Sequence, residues 1–259
     1  MLPDFKPIVF NTPTEFDEIE VYFAHDIHFG AEQHDREKWE RFKKMVWEKP
    51  NRYIIWVGDY CENAVVGSKS NIYTQTVSPY KQKEWLSEQF IELADRTIAI
   101  VPGNHENNRI TRVCGLFPVY DCAKDARIGD RYRQSFAVVD IGVGDGGHGK
   151  GKQTRYVGYI VHKLRDCKSY NGSLYVDGID FAAYGHDHAP KSQPRGKLVY
   201  DPRNKTVMQK DVEVIDSGSF LTYGGYAVEG AYVPNSTKLF SLTLGGGREK
   251  NLSSRSYKV

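Results

Sequence analysis

Five short apolar runs, each leading directly into aspartate, asparagine or histidine, constrain this chain more than any other feature. They occupy residues 21–24, 53–57, 97–101, 156–161 and 181–184. Each has the length and the β-branched and aromatic content of a buried strand. The first ends in EVYFAHDIH, delivering Asp26 and His28, and the second in YIIWVGD, delivering Asp59. TIAIVPGNHE delivers Asn104, His105 and Glu106, YVGYIVH delivers His162, and FAAYGHDH delivers His186 and His188. Open α/β sheets gather their functional groups beyond the C-terminal ends of strands, so five such endings predict one shared site.

Helical patterns separate the first three runs. Trp39, Phe42 and Val46 share one face, and Trp85, Leu86, Phe90 and Leu93 follow a similar period. The resulting β-α-β-α-β order predicts right-handed crossovers with helices packed outside a sheet. The second half reads differently. Segments 135–141 and 153–162 flank GVGDGGHGKG, a glycine-rich turn between two antiparallel strands, and short strands follow at 197–200, 206–208, 212–215 and 239–244. The expectation is a single domain over residues 1–259, α/β at first and β-rich later, with a lead-in over about 1–20 and a tail over about 245–259.

Composition removes several function classes. The chain is 40% hydrophobic and 26% charged, as globular proteins are. Its longest clean apolar run, 53–57, falls far short of the roughly 20 residues that cross a bilayer, so no membrane association is expected. The first twenty residues lack a basic start followed by an apolar core, which makes the cytoplasm the expected compartment. A net charge of +2 gives no electrostatic footprint for gripping long duplex DNA. The charge is uneven, however: residues 191–259 carry 11 Lys/Arg against 6 Asp/Glu, a basic third beside an acidic body that could accept an anion between them. Four widely spaced cysteines with no C-x-x-C pair read as reduced structural thiols.

The residue types at the strand ends match one chemistry. Two divalent cations about 3.5–4 Å apart need an anionic bridge, imidazoles and further oxygens, with positions open for water and substrate. Asp59 is the natural bridge; Asp26, His28 and His188 complete one metal, and Asn104, His162 and His186 the other. Imidazole mixed with hard oxygen and no thiolate suits manganese first, then iron or zinc, rather than calcium. The i, i+2 spacing of Asp26/His28 and His186/His188 sends both side chains to one side of an extended chain. His148, in the glycine-rich turn, is a rival to His162. Alternation points His25 to the face opposite Asp26, so it is expected to pack in the core or behind a ligand rather than to ligate, His34 to be exposed or to cap the next helix, and Glu106 to hold a ligand histidine or His105 from behind. Gly58 and Gly103 read as sharp turns out of their strands.

The ordered set D-x-H, G-D, G-N-H-E, H, G-H-x-H resembles the calcineurin-like metallophosphoesterase superfamily, and VIDSGSF looks like the strand that follows its last motif. The resemblance implies an α/β four-layer sandwich of two mixed β-sheets flanked by helices, with a dinuclear centre at one edge. It implies the ligand set above, and His105 assisting phosphoryl transfer while a metal-activated water attacks phosphorus. There are departures: the second acid of G-D-x-x-D is Glu62, Asn63 stands where protein phosphatases carry a phosphate-holding arginine, and Lys163 stands where glycine often follows the fourth-motif histidine. The substrate expected is therefore a phosphodiester of a single-stranded nucleic acid or a nucleotide, with Tyr60, Tyr223 and Tyr226 exposed for stacking and Arg109, Arg112 and Lys163 as candidate phosphate contacts. A phosphomonoesterase and a non-catalytic scaffold of the same fold are the alternatives.

Overall fold

Strands that read as continuous apolar runs need cover on both faces, and the layering supplies it. The computed structural model describes residues 3–68, 70–147, 152–163 and 176–259. Its strands are β1 (Ile8–Asn11), β2 (Glu18–Ala24), β3 (Arg52–Trp56), β4 (Thr97–Ile100), β5 (Ala137–Val143), β6 (Thr154–Ile160), β7 (Phe181–Tyr184), β8 (Lys191–Asp201), β9 (Thr206–Asp216), β10 (Leu239–Gly245) and β11 (Leu252–Tyr257). They form two mixed sheets, β1-β5-β6-β7-β9-β8 and β11-β10-β2-β3-β4. Helices α1 (Arg36–Trp47) and α2 (Pro79–Glu92) flank the second. Asp35 caps α1 by accepting the Lys38 N–H, and Ser78 caps α2 with Pro79 in its first turn.

Alternation along β3 divides the core. Tyr53 and Ile55 face the space between the sheets, with Val21, Phe23, Val139, Tyr156, Phe181 and Ile215. Ile54 and Trp56 face outward, against Trp39 and Phe42 of α1, Leu86 and Phe90 of α2, and the helix Pro118–Asp125. The outer face of the six-stranded sheet carries a smaller cluster of Tyr159, Ile179, Ala182, Tyr184, Val212 and Val214.

This layering positions the site through strand direction. β2, β3 and β4 are parallel neighbours, so their C-terminal ends share one edge. β6, β7 and β9 are likewise parallel. The two edges adjoin: His162 Nδ1 bonds the Val57 carbonyl, and the His186 N–H donates to the Asp26 carboxylate.

Several elements differ from the sequence reading. The expected lead-in contains β1, parallel to β5, and the expected tail contains β11, antiparallel to β10. Both are sheet-edge strands, and β11 buries almost nothing, which leaves little apolar signal. The strands expected at 197–200, 206–208 and 212–215 belong to one hairpin, β8–β9, of eleven residues per strand. Its distal half is held by backbone pairing with little burial, so hydrophobic periodicity misses its extent. The helix Pro118–Asp125 was not anticipated. No helix among the described residues is long and apolar enough to cross a membrane. Cys61 and Cys122 are buried free thiols and Cys114 an exposed one; Cys167 lies outside the described residues.

Phe181 lies fully buried between the sheets, its ring over Gly158. Phe181→Ala is expected to lower unfolding free energy by about 3–5 kcal/mol, read as a shift of the urea midpoint at unchanged slope.

Candidate metal centre

The seven side chains named as ligands from sequence, together with His105, converge beyond the strand ends. Asp26, His28 and His188 bring ligand atoms within 4.8 Å of one another, and Asp59, His162 and His186 do the same. Asp59 also clusters with His28 and His105, so its carboxylate lies between the two groups. Asn104 Oδ1 is 3.2 Å from His162 Nε2.

Local backbone, rather than strand alternation, aims these groups. Asp26, His28, Asp59, His186 and His188 all have positive φ, between 49° and 78°. Non-glycine residues rarely occupy this left-handed region, and they do so where surrounding structure over-determines them. The i, i+2 pairs thus share a side through left-handed turns, not through an extended chain. Gly58 does turn, with φ of 92°. Gly103 is extended instead, and its role is close approach: a Cβ there would collide with the Asp59 carboxylate and amide.

Hydrogen bonds fix the imidazoles for ligation through Nε2. His162 Nδ1 donates to the Val57 carbonyl at 2.7 Å, which leaves Nε2 3.1 Å from Asp59 Oδ2. His28 Nδ1 bonds Glu62 Oε2 at 3.2 Å, which turns Nε2 toward Asp26 and His188. A second group that fixes the tautomer is the usual companion of a metal-binding histidine. Burial works against ionising Asp26, and the imidazoles of His188, His25 and His28 override it, holding the carboxyl well below its ordinary range. Asp59 behaves alike under His162 and His105. Against the cost of burial, Asp26 and Glu62 push His28 up to about 10, and Asp59 pushes His162 up to about 9.

The donor set fits divalent cations. Asp26 Oδ1 is buried and has no hydrogen-bond partner among the described residues, yet it lies 3.3 Å from His188 Nε2. An unpartnered buried carboxylate oxygen is costly unless a cation meets it, and the surrounding nitrogens and oxygens with no thiolate are those of manganese, iron or zinc sites.

Other residues depart from expectation. Glu106 holds no histidine: it accepts the backbone N–H groups of Asp59, Tyr60, Cys61 and Gly103, joining the ends of β3 and β4. Burial and the nearby Asp59 push its pKa up to about 7. His25, expected in the core or behind a ligand, takes the second place: its Nδ1 meets Asp26 Oδ2 at 2.7 Å. His34 is half-buried, with Nδ1 on the Ile27 carbonyl, and the cap it was considered for is Asp35. Tyr60 is fully buried, its hydroxyl on the Val101 carbonyl, so it cannot stack on a base. Tyr223 is exposed; the side chain of Tyr226 and all of His148 lie outside the described residues. Arg112 and Lys163 are exposed. Arg109, on the helical stretch 104–114, donates to Glu62 Oε1 at 2.9 Å and sits 2.8 Å from His105 Nε2. His105 Nδ1 bonds the Glu62 carbonyl, and burial lowers its pKa to about 4. Sequence reasoning missed this Glu62–Arg109–His105 contact; the i, i+4 spacing of His105 and Arg109 on one helix was its available signal.

The calcineurin-like phosphoesterase family model matches residues 21–190. The chain belongs to that family. Solved structures similar to this phosphoesterase family member include the calcineurin-like phosphoesterase YfkN from Bacillus subtilis, at 11% identity and TM-score 0.42, covering 93% of this chain and 90% of that one. A metallophosphoesterase from Sphaerobacter thermophilus matches at 10% identity and TM-score 0.43, covering 93% and 89%. Vps29 from Entamoeba histolytica, complexed with zinc, matches at 12% identity and TM-score 0.39, covering 92% and 98%. No curated protein matches the sequence significantly.

Glu106→Ala leaves four buried backbone N–H groups without their acceptor. With unmet buried donors costing about 1–3 kcal/mol each, this variant is expected to lose at least about 3 kcal/mol of stability, measured by urea unfolding, and more than Glu106→Gln.

Proposed function

We propose that this protein is a dinuclear metal-dependent phosphoesterase that hydrolyses a phosphodiester of a single-stranded nucleic acid or nucleotide, with manganese as the preferred metal. The observation that carries the reading is the Asp59 carboxylate between two His/Asp clusters, beside a buried, unpartnered Asp26 oxygen. Asp26, His28 and His188 would hold one cation, Asn104, His162 and His186 the other, and Asp59 both. When bound, such a pair supplies Lewis acidity to the phosphoryl oxygens and lowers the pKa of a water nucleophile.

The chain's own groups do the remaining work. His105 is anchored through Nδ1 to the Glu62 carbonyl, which leaves Nε2 3.6 Å from Asp59 Oδ2 and 2.8 Å from the Arg109 guanidinium, at the edge of the metal cluster. Once a bound phosphate anion had drawn a proton from water onto Nε2, His105 would deliver that proton to the leaving oxygen, a contribution typically of about 10²–10⁴-fold. The preference for a diester rests on charge. Arg109, the guanidinium beside His105, is already paired with Glu62. The pocket therefore offers a phosphate less uncompensated positive charge than a dianionic monoester calls for. Exposed Arg112, Lys163 and Tyr223 are suited to the flanking phosphates and bases of a longer substrate.

Manganese-loaded protein is expected to turn over bis-p-nitrophenyl phosphate faster than p-nitrophenyl phosphate, and to cleave single-stranded oligonucleotides. A strong monoester preference contradicts the diester assignment. No turnover of any of the three favours a binding scaffold. His105→Ala is expected to lower kcat by about 10²–10⁴-fold with two metals per chain retained by elemental analysis, whereas Asp59→Asn is expected to lose metal.

A further inference from the structure

We propose that His25 is a positioning residue of the metal centre, which fixes Asp26 as a ligand through one oxygen only. The inference rests on the two-cation reading of the site and goes beyond it, because His25 belongs to no ligand set.

The hydrogen bonds determine the ring's state. His25 is fully buried, and its Nε2 accepts the Ser217 N–H at 3.2 Å. The ring proton therefore sits on Nδ1, which donates to Asp26 Oδ2 at 2.7 Å. Oδ2 also accepts the His186 N–H at 2.8 Å. Two donors occupy that oxygen, and Oδ1 is left without a hydrogen bond among the described residues, 3.3 Å from His188 Nε2 and 3.7 Å from His28 Nε2. The carboxylate cannot rotate to exchange its oxygens without breaking both bonds.

Behind His25, the VIDSGSF segment closes the arrangement. Ser217 Oγ donates to the Phe240 carbonyl, Asp216 Oδ1 accepts the Gly218 N–H, and the Phe220 N–H donates to the Asp26 carbonyl. Lys38 of α1 donates to the Ser219 carbonyl at 2.7 Å. The turn after β9 thus sets the orientation of a ligand at the end of β2, with His25 as the link. A hydrogen-bonded partner behind a ligand is typically worth about 10–100-fold in metal affinity.

Substitutions separate this role from simple packing. His25→Asn carries an amide N–H where Nδ1 stands, whereas His25→Gln carries one farther out, where Nε2 stands. Manganese titrations by calorimetry, with near-ultraviolet circular dichroism and metal-free melting as checks on folding, read the outcome. His25→Ala and His25→Gln are expected to bind one of the two ions about 10–100-fold more weakly, with His25→Asn retaining most of the wild-type affinity. Wild-type affinity for both ions in His25→Ala, or an Asn variant as weak as the Gln variant, overturns the inference. If the alanine variant does not fold, the Asn–Gln comparison decides alone. Wild-type protein that binds no manganese overturns the metal centre and this inference together; wild-type protein that binds two ions yet cleaves no phosphoester contradicts only the proposed activity.

Discussion

Two carboxylates, Asp26 and Asp59, are buried to within 1% of complete exclusion from solvent in one pocket, and the remainder of the site answers that fact. An isolated buried carboxylate is too costly to persist ionised. Here each is surrounded by imidazoles and backbone donors: His25, His28, His188 and the His186 N–H around Asp26, and His162, His105 and the His105 N–H around Asp59. The concentration of negative charge makes the pocket a cation site, and the histidines supply both partial compensation and ligands.

Holding those groups together demands unusual backbone. Left-handed φ at five residues of the pocket carries a conformational cost of order 1–3 kcal/mol each, and the surrounding contacts must offset it. Glu106 clamps the ends of β3 and β4 through four backbone N–H groups. The Asp26, Ile27 and His28 N–H groups donate to the Gly58 and Asp59 carbonyls, and His162 reaches across from the other sheet to the Val57 carbonyl. The site is consequently a joint between the two sheets, and the large shared core beneath it gives the rigidity that precise ligand geometry requires.

Much of this was legible in the sequence because the information is local. Each ligand follows its own apolar run by only a few residues, so strand ends and ligand types could be read together, and the first two crossover helices follow from the spacing of Trp39, Phe42 and Val46 and of Leu86 and Phe90. The folded chain brings these residues into three overlapping groups, Asp26/His28/His188, His28/Asp59/His105 and Asp59/His162/His186, with Asn104 beside His162. What was not legible depends on tertiary contacts. Tyr60 adjoins a ligand and reads as loop, yet it is buried against Trp56 and Phe90. The contact of Glu62 with His28 and Arg109 joins residues 34 and 47 positions apart. Alternation assigns His25 to the wrong side because Asp26, with φ of 50°, leaves the extended conformation on which alternation depends.

The most direct measurement is an anomalous-difference map from crystals grown with manganese, collected on both sides of the metal's absorption edge. Two peaks roughly 3.5–4 Å apart are expected, one against Asp26 Oδ1 and one against His162 Nε2, with the Asp59 carboxylate touching both. A pocket without peaks at saturating manganese, or a single ion that leaves Asp59 uncoordinated, contradicts the two-cation reading.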